Sequence, residues 1–204
     1  MPADDATPLR QGSSDSWSDR MPLPPMEALD APQRAAAQAL LEGPRKGIYG
    51  PFLPLLRSPE LLDRVAKLGE YLRFDSVLDA RVRELATCVV ARHLSNQFEW
   101  RMHAPLALKA GVSTDTLEAL RIGARPAAAS PVEAAAFDFA SSLLATHGVP
   151  EPVWRAAVEQ LGDRGVVELA TLVGYFAMVS WLMNACHTPA QAGSTAAPLP
   201  PFPL

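Results

Sequence analysis

Four polar side chains in the stretch ELATCVVARHLSNQFEWRMH, residues 84–103, have types and spacing suited to moving protons. On a helix, residues three and four apart share a face. Asn96, Glu99 and His103 therefore line one side, while Phe98 and Met102 form an adjacent inward pair. Glu84 belongs to the preceding segment. A tight connection around Ser95 would fold the two helices back on each other and bring the Glu84 carboxylate to the His103 imidazole. A carboxylate among Leu85, Cys88 and Val89 is costly to bury alone, and His103 is the candidate partner. Burial raises a glutamate pKa and a nearby imidazolium lowers it, so such a pair can be poised near neutral pH. A positioned acid or base contributes about 10² to 10⁴ in rate.

Cys88 stands one turn after Glu84 and either faces the same cavity or fills the core as a small hydrophobe. Arg101, Arg121 and Arg125 are the cations considered for holding a carboxylated substrate. His103 and Glu99 are also spaced to share a metal, but His93, His147 and His187 fall outside that pattern, so no metal and no cofactor is expected. Spacing alone leaves simpler readings open. Glu84 would then join Arg81 and Arg83 on a solvated face, His103 would be a core histidine satisfied by backbone, and Glu99 a surface residue.

The elements that must position these groups are helical. Leu78, Val82, Leu85, Val89 and Val90 recur at helical spacing, and no alternation of period two lasts a strand length, so the chain is expected to be all-α with about six to eight helices. Ser58, Pro59 and Glu60 give an N-cap and N1 proline before LLDRVAKLGEYLRF. Ser130 and Glu133 form a capping box before AAAFDFASSLLATHG, with Gly148 as its C′ residue. An earlier helix through APQRAAAQALLEG stops near Gly43, and GIYGPFLPLLRSP, rich in Gly and Pro, is expected to be an ordered loop. A helix spans residues 96–110 and ends at Gly111, with Pro105 kinking it or moving its boundary past His103. ELAT recurs at residues 84–87 and 168–171, each copy expected to open a long apolar helix.

Of twenty prolines, ten precede residue 60 and five follow residue 188, which marks off the ends. Residues 1–25 are expected to be an irregular arm, 26–187 one helical domain, and 188–204 a Pro-rich tail. Trp17, Met21, Met26 and Phe202 in these arms suit contact with a neighbouring subunit. At 204 residues the chain can fill one core but not two. A net charge of -4 gives no electrostatic footprint for nucleic acid or an anionic membrane. Two distant cysteines without a CxxC, and an N-terminus without an apolar signal, fit the cytoplasm. The apolar run at residues 169–186 reads as a buried core or interface helix rather than a membrane span.

Residues 83–111, with the preceding GPFLPLLRSPELLDRVAKLGEYLRF, resemble the carboxymuconolactone decarboxylase family, which includes the alkylhydroperoxidase D-like proteins. The resemblance extends more loosely through VVELATLVGYFAMVSWLMNA. In the peroxidase branch a Glu is followed after eleven residues by CxxC, then three residues and His. Here Glu84 and His103 keep that spacing, but Asn96 and Glu99 occupy the cysteine positions. Neither forms a sulfenic acid or a disulfide, so thiol peroxidase activity is disfavoured and the cysteine-free branch is the expectation.

That branch implies an alkylhydroperoxidase D-like helical bundle assembled as a homo-oligomer, trimer or hexamer, and a cofactor-free lyase. Its substrate would be a small carboxylated lactone or oxo acid from aromatic catabolism. His103 is then expected to be the general acid and Glu84 to orient it. Glu99 would relay protons, and Asn96, Cys88 and Arg101 would surround the substrate. A cofactor-free isomerase or hydrolase, or a non-catalytic oligomeric binding protein, remains the alternative.

Overall fold

The computed structural model describes residues 18–190 and 193–200. Trp17 and Phe202, named above for the arms, lie outside them. Among the described residues there are eight α-helices and no strands: α1 (Ala31–Glu42), α2 (Phe52–Leu55), α3 (Pro59–Glu70), α4 (Ala80–His93), α5 (Gln97–Lys109), α6 (Thr114–Arg121), α7 (Pro131–Thr146) and α8 (Glu151–Cys186). A single π-helical stretch, Tyr71–Asp75, prolongs α3. The all-helical expectation holds.

The centre of the molecule is α4, which packs against α5, α7 and α8. Its apolar residues explain that position. Val82, Leu85, Ala86, Cys88, Val90 and Ala91 are all buried, which leaves little of the helix for solvent. Asp79 caps it by accepting from the Arg81 amide at 2.8 Å. Helix α5 follows after a turn in which Ser95 takes a left-handed φ of 49°. Capping is equally local elsewhere: the Glu133 carboxylate accepts from the Ser130 amide at 2.8 Å and its hydroxyl at 2.6 Å, opening α7 where the sequence indicates.

Several boundaries differ from expectation. Ser58 stands at the N-cap of α3 but makes no side-chain cap bond. The left-handed residue ending α7 is His147, with φ 61°, rather than Gly148. The Gly/Pro-rich loop contains the short helix α2, in which the Leu56 amide already reaches the Phe52 carbonyl. Neither ELAT copy opens a helix. Glu168 lies inside α8, where its carboxylate ties down the π-helical turn by accepting from the Tyr71 hydroxyl and the Val77 amide, each at 2.8 Å.

Pro105 neither ends α5 nor moves its boundary. Its missing N–H leaves the Arg101 carbonyl without a helical donor, and the Ser194 hydroxyl donates to it instead at 2.6 Å. The tail thus runs along α5. The Trp100 indole donates to the Ala197 carbonyl at 2.8 Å, Gln97 pairs with both backbone groups of Leu199, and Leu199 is buried. At the other end the Arg20 amide donates to the Cys186 carbonyl at 2.9 Å. The described parts of both arms therefore lie on their own chain. Helix α8 is long and apolar enough to cross a membrane, yet 61% of its most apolar window is buried in this fold, as in a core helix.

Candidate active site

The α4–α5 hairpin performs the juxtaposition that the spacing predicts. From α4, the Glu84 carboxylate accepts from His103 Nδ1 at 2.6 Å, and from α5 a Glu99 oxygen lies 3.2 Å from His103 Nε2. The side chains of His103 and Glu99 are each only 4% exposed, that of Glu84 13%. Phe176 of α8 presses edge-on against the imidazole, with ring centroids 5.0 Å apart. The ring is fixed on three sides.

Charge follows from this enclosure. Burial alone would discharge the imidazole, but the charge and hydrogen bond of Glu84, joined by those of Glu99, outweigh it and raise the His103 pKa to about 9. Burial pushes Glu84 upward, and the adjacent His103, with smaller help from Arg73 and Arg83, more than reverses this to leave its pKa lowered. At neutral pH His103 is therefore an imidazolium donating from both nitrogens. Both ring nitrogens face carboxylates, so neither offers a lone pair to a metal, and among the described residues no group of three or more His, Cys, Asp and Glu side chains converges as a metal site.

His103 and Glu99 form one wall of a cavity of about 40 Å³, whose other walls include Arg45, Tyr49, Arg73, Met102 and Tyr175. Arg45 is braced by donating to the Ala66 carbonyl at 3.1 Å and lies 4.7 Å from the Phe52 ring centre. Burial pushes the Tyr175 phenol up to about 12, so it stays protonated as a potential donor. Glu84 does not line the cavity. It holds His103 from behind.

The three residues expected around the substrate are elsewhere. Asn96 is fully buried and caps α5: its carbonyl accepts from the Glu99 amide at 2.9 Å, and its amide donates to the Ser180 carbonyl and to Asn184. Nothing of it is left for a ligand. Cys88 is buried in the core, and burial first, then Glu84 and Glu99, raise its thiol pKa well above the ordinary value, so it fills space as a neutral thiol. Arg101 points to the tail and donates to the Ser194 carbonyl at 3.2 Å. Arg121 and Arg125 pair with Glu118 and Asp138, both at 2.7 Å. The cations at the cavity are instead Arg45 and Arg73, from a loop and the π-helical turn. Neither segment has a periodicity that would announce them.

This geometry belongs to a known helical class. The chain is similar to an uncharacterized peroxidase-related protein from Silicibacter sp. TM1040, with a TM-score of 0.68 and 17% identity, covering 93% of this chain and 97% of that one. A second peroxidase-related protein with an alkylhydroperoxidase AhpD core, from Ralstonia eutropha JMP134, gives 0.62 and 19%, over 85% and 92% of the two chains. The debrominase Bmp8, in complex with 2,3,4-tribromopyrrole, gives 0.62 and 13%, over 86% and 92%. These likenesses define the fold as alkylhydroperoxidase D-like. Residues 59–142, which hold Glu84, Glu99 and His103, match the model of the carboxymuconolactone decarboxylase family. No curated protein matches the chain.

Proposed function

We propose that this protein is a cofactor-free lyase that decarboxylates a small carboxylated lactone or oxo acid, working as a homo-oligomer. The observation that carries the reading is the Glu84–His103–Glu99 relay opening onto a cavity flanked by Arg45 and Arg73. Loss of carbon dioxide breaks a C–C bond and leaves its electron pair on carbon as an enolate. Arg45 and Arg73 hold the substrate's oxygen anions, and Tyr175 supplies a neutral donor. Glu99 takes the Nε2 proton of the His103 imidazolium and passes it to the carbanion, leaving a neutral imidazole, while Glu84 keeps Nδ1 protonated and the ring oriented. The consumed proton returns from solvent.

Thiol chemistry finds no support, because Asn96 and Glu99 stand where cysteines would and Cys88 is a buried neutral thiol. The cavity has room for about one or two waters. A lactone is larger, and the partly exposed Arg45, Arg73 and Met102 are the lining side chains that would have to move to admit one. An isomerase or hydrolase on the same substrates would use the same relay, and the products separate the cases. The test offers unsaturated carboxylated lactones to the protein and measures carbon dioxide and lactone together. Carbon dioxide release that collapses in Glu99→Gln supports the lyase. Lactone loss without carbon dioxide assigns an isomerase or hydrolase, and no turnover of any carboxylated lactone or oxo acid overturns the enzymatic reading.

A further inference from the structure

Beyond Gly162, α8 exposes one line of residues, Val167, Thr171, Gly174, Met178, Trp181 and Ala185. Val167, Met178 and Trp181 are 62%, 40% and 60% exposed, and a Cβ on Gly174 would meet nothing within 4 Å. The spacing alternates four and three, the 3.5-residue period of a helix seam that packs on another helix. No charge interrupts it. A solvated helix face ordinarily carries charged side chains, and a mid-helix glycine costs about 1 kcal/mol unless close approach requires it.

The seam also reads the same in both directions. Reversed about the level of Phe176, Gly174 falls opposite Met178, Thr171 opposite Trp181, and Val167 opposite Ala185, so each layer sets a larger side chain against a smaller one. A parallel pairing would stack Trp181 on Trp181 and leave a gap at Gly174. The level facing Trp181 is also where a groove of about 500 Å³ runs between α8 and the α3–π-helical segment, lined by Leu68, Tyr71, Val167 and Thr171. Charge is confined to the ends. Asp163 and Arg164 precede Val167 by one turn, Arg164 being paired with Glu168 at 2.9 Å, and at the far end Arg20 donates to the Ala185 carbonyl at 2.8 Å, so reversal brings each Asp163 to the level of the partner's Arg20.

We propose that α8 pairs antiparallel with α8 of a second copy about a two-fold axis at Phe176, each Trp181 entering the other copy's groove beside Thr171. A two-fold makes the assembly even-numbered, a dimer or a hexamer, and excludes a simple trimer. Sedimentation equilibrium of the full chain, with circular dichroism to verify folding, tests this. Wild type is expected at an even multiple of the chain mass, and Trp181→Glu at half that multiple or less, with dissociation constants raised at least about tenfold. Gly174→Met should weaken the pair, and the size swap Gly174→Met with Met178→Gly should restore it. A monomeric or trimeric wild type overturns the proposal, as does a folded Trp181→Glu variant that keeps the wild-type mass. A monomer that sediments with phosphatidylcholine vesicles would assign the seam to lipid and also overturn it.

Discussion

Glu99 stands between His103 and the cavity: its carboxylate lies 3.2 Å from the imidazole Nε2, one turn away on the same helix, and shares the cavity wall with it. The group that faces the cavity is thus a carboxylate backed by an imidazolium. Direct attack by His103 would require Nε2 to leave Glu99.

Glu99→Gln keeps the size and one acceptor but cannot carry a proton. Turnover is expected to fall by about 10² to 10⁴, with KM changed little, because binding charge resides in Arg45 and Arg73. Steady-state kinetics on a substrate that releases carbon dioxide measures both. A variant turning over at the wild-type rate removes Glu99 from the relay.

Arg73→Leu removes one of the two cations beside the cavity while the relay keeps its hydrogen bonds. KM for a carboxylated lactone is expected to rise about tenfold or more, as when one partner of an enclosed charge pair is lost. The corresponding lactone ester, lacking that charge, should show little change. Equal effects on acid and ester would move the carboxylate away from Arg73.

His103 links stability to pH with a definite sign. Its folded pKa is raised to about 9 from an ordinary 6.5, so its contribution is complete below pH 6.5 and is lost as pH rises to about 9. Melting temperature should therefore decline through that window, and His103→Gln should flatten the decline. That variant also leaves Glu84 and Glu99 buried without their cation, so it starts from lower stability. Glu84, with its pKa lowered, acts oppositely: its contribution is present above the ordinary carboxylate pKa and disappears in acid. A wild-type melting temperature unchanged from pH 6.5 to 9 would mean that His103 is neutral.

The relay was legible because its three members lie on two consecutive helices, where periodicity alone fixes the faces. Asn96 shares that face but was open to a second interpretation. An Asn three residues before a Glu at the start of an apolar helix is also a cap signature, and the side chain serves the backbone. Arg45 and Arg73 were not legible, since a loop and a π-helical turn carry them to the cavity. Pro105 misled for a related reason: the donor that rescues its orphaned carbonyl, Ser194, comes from the tail, far along the chain.

Gly69 sits where the hydroxyl of Tyr175 and the guanidinium of Arg45 approach α3. A Cβ there would clash with Tyr175 and come within 3.0 Å of Arg45 Nη2. Gly69→Ala should push both side chains toward the cavity, costing about 1 to 3 kcal/mol of stability as an overpacked site. Denaturant unfolding measures the loss, and turnover should fall with it. A Gly69→Ala variant as stable and active as wild type would show that Tyr175 has room to retreat.

Ser194 completes α5 from outside the helix. Its hydroxyl donates to the Arg101 carbonyl that Pro105 leaves without a helical donor, and its own carbonyl accepts from Arg101. Removing the hydroxyl returns an acceptor at the middle of a packed helix to an unsatisfied state, at a cost of about 1 to 3 kcal/mol. Ser194→Ala should therefore destabilise the protein and speed hydrogen exchange at the Trp100 indole, whose bond to Ala197 depends on the same tail. Pro105→Ala supplies the missing amide, so in that background Ser194→Ala should cost markedly less. Equal costs in the two backgrounds would mean that Ser194 holds the tail independently of the proline.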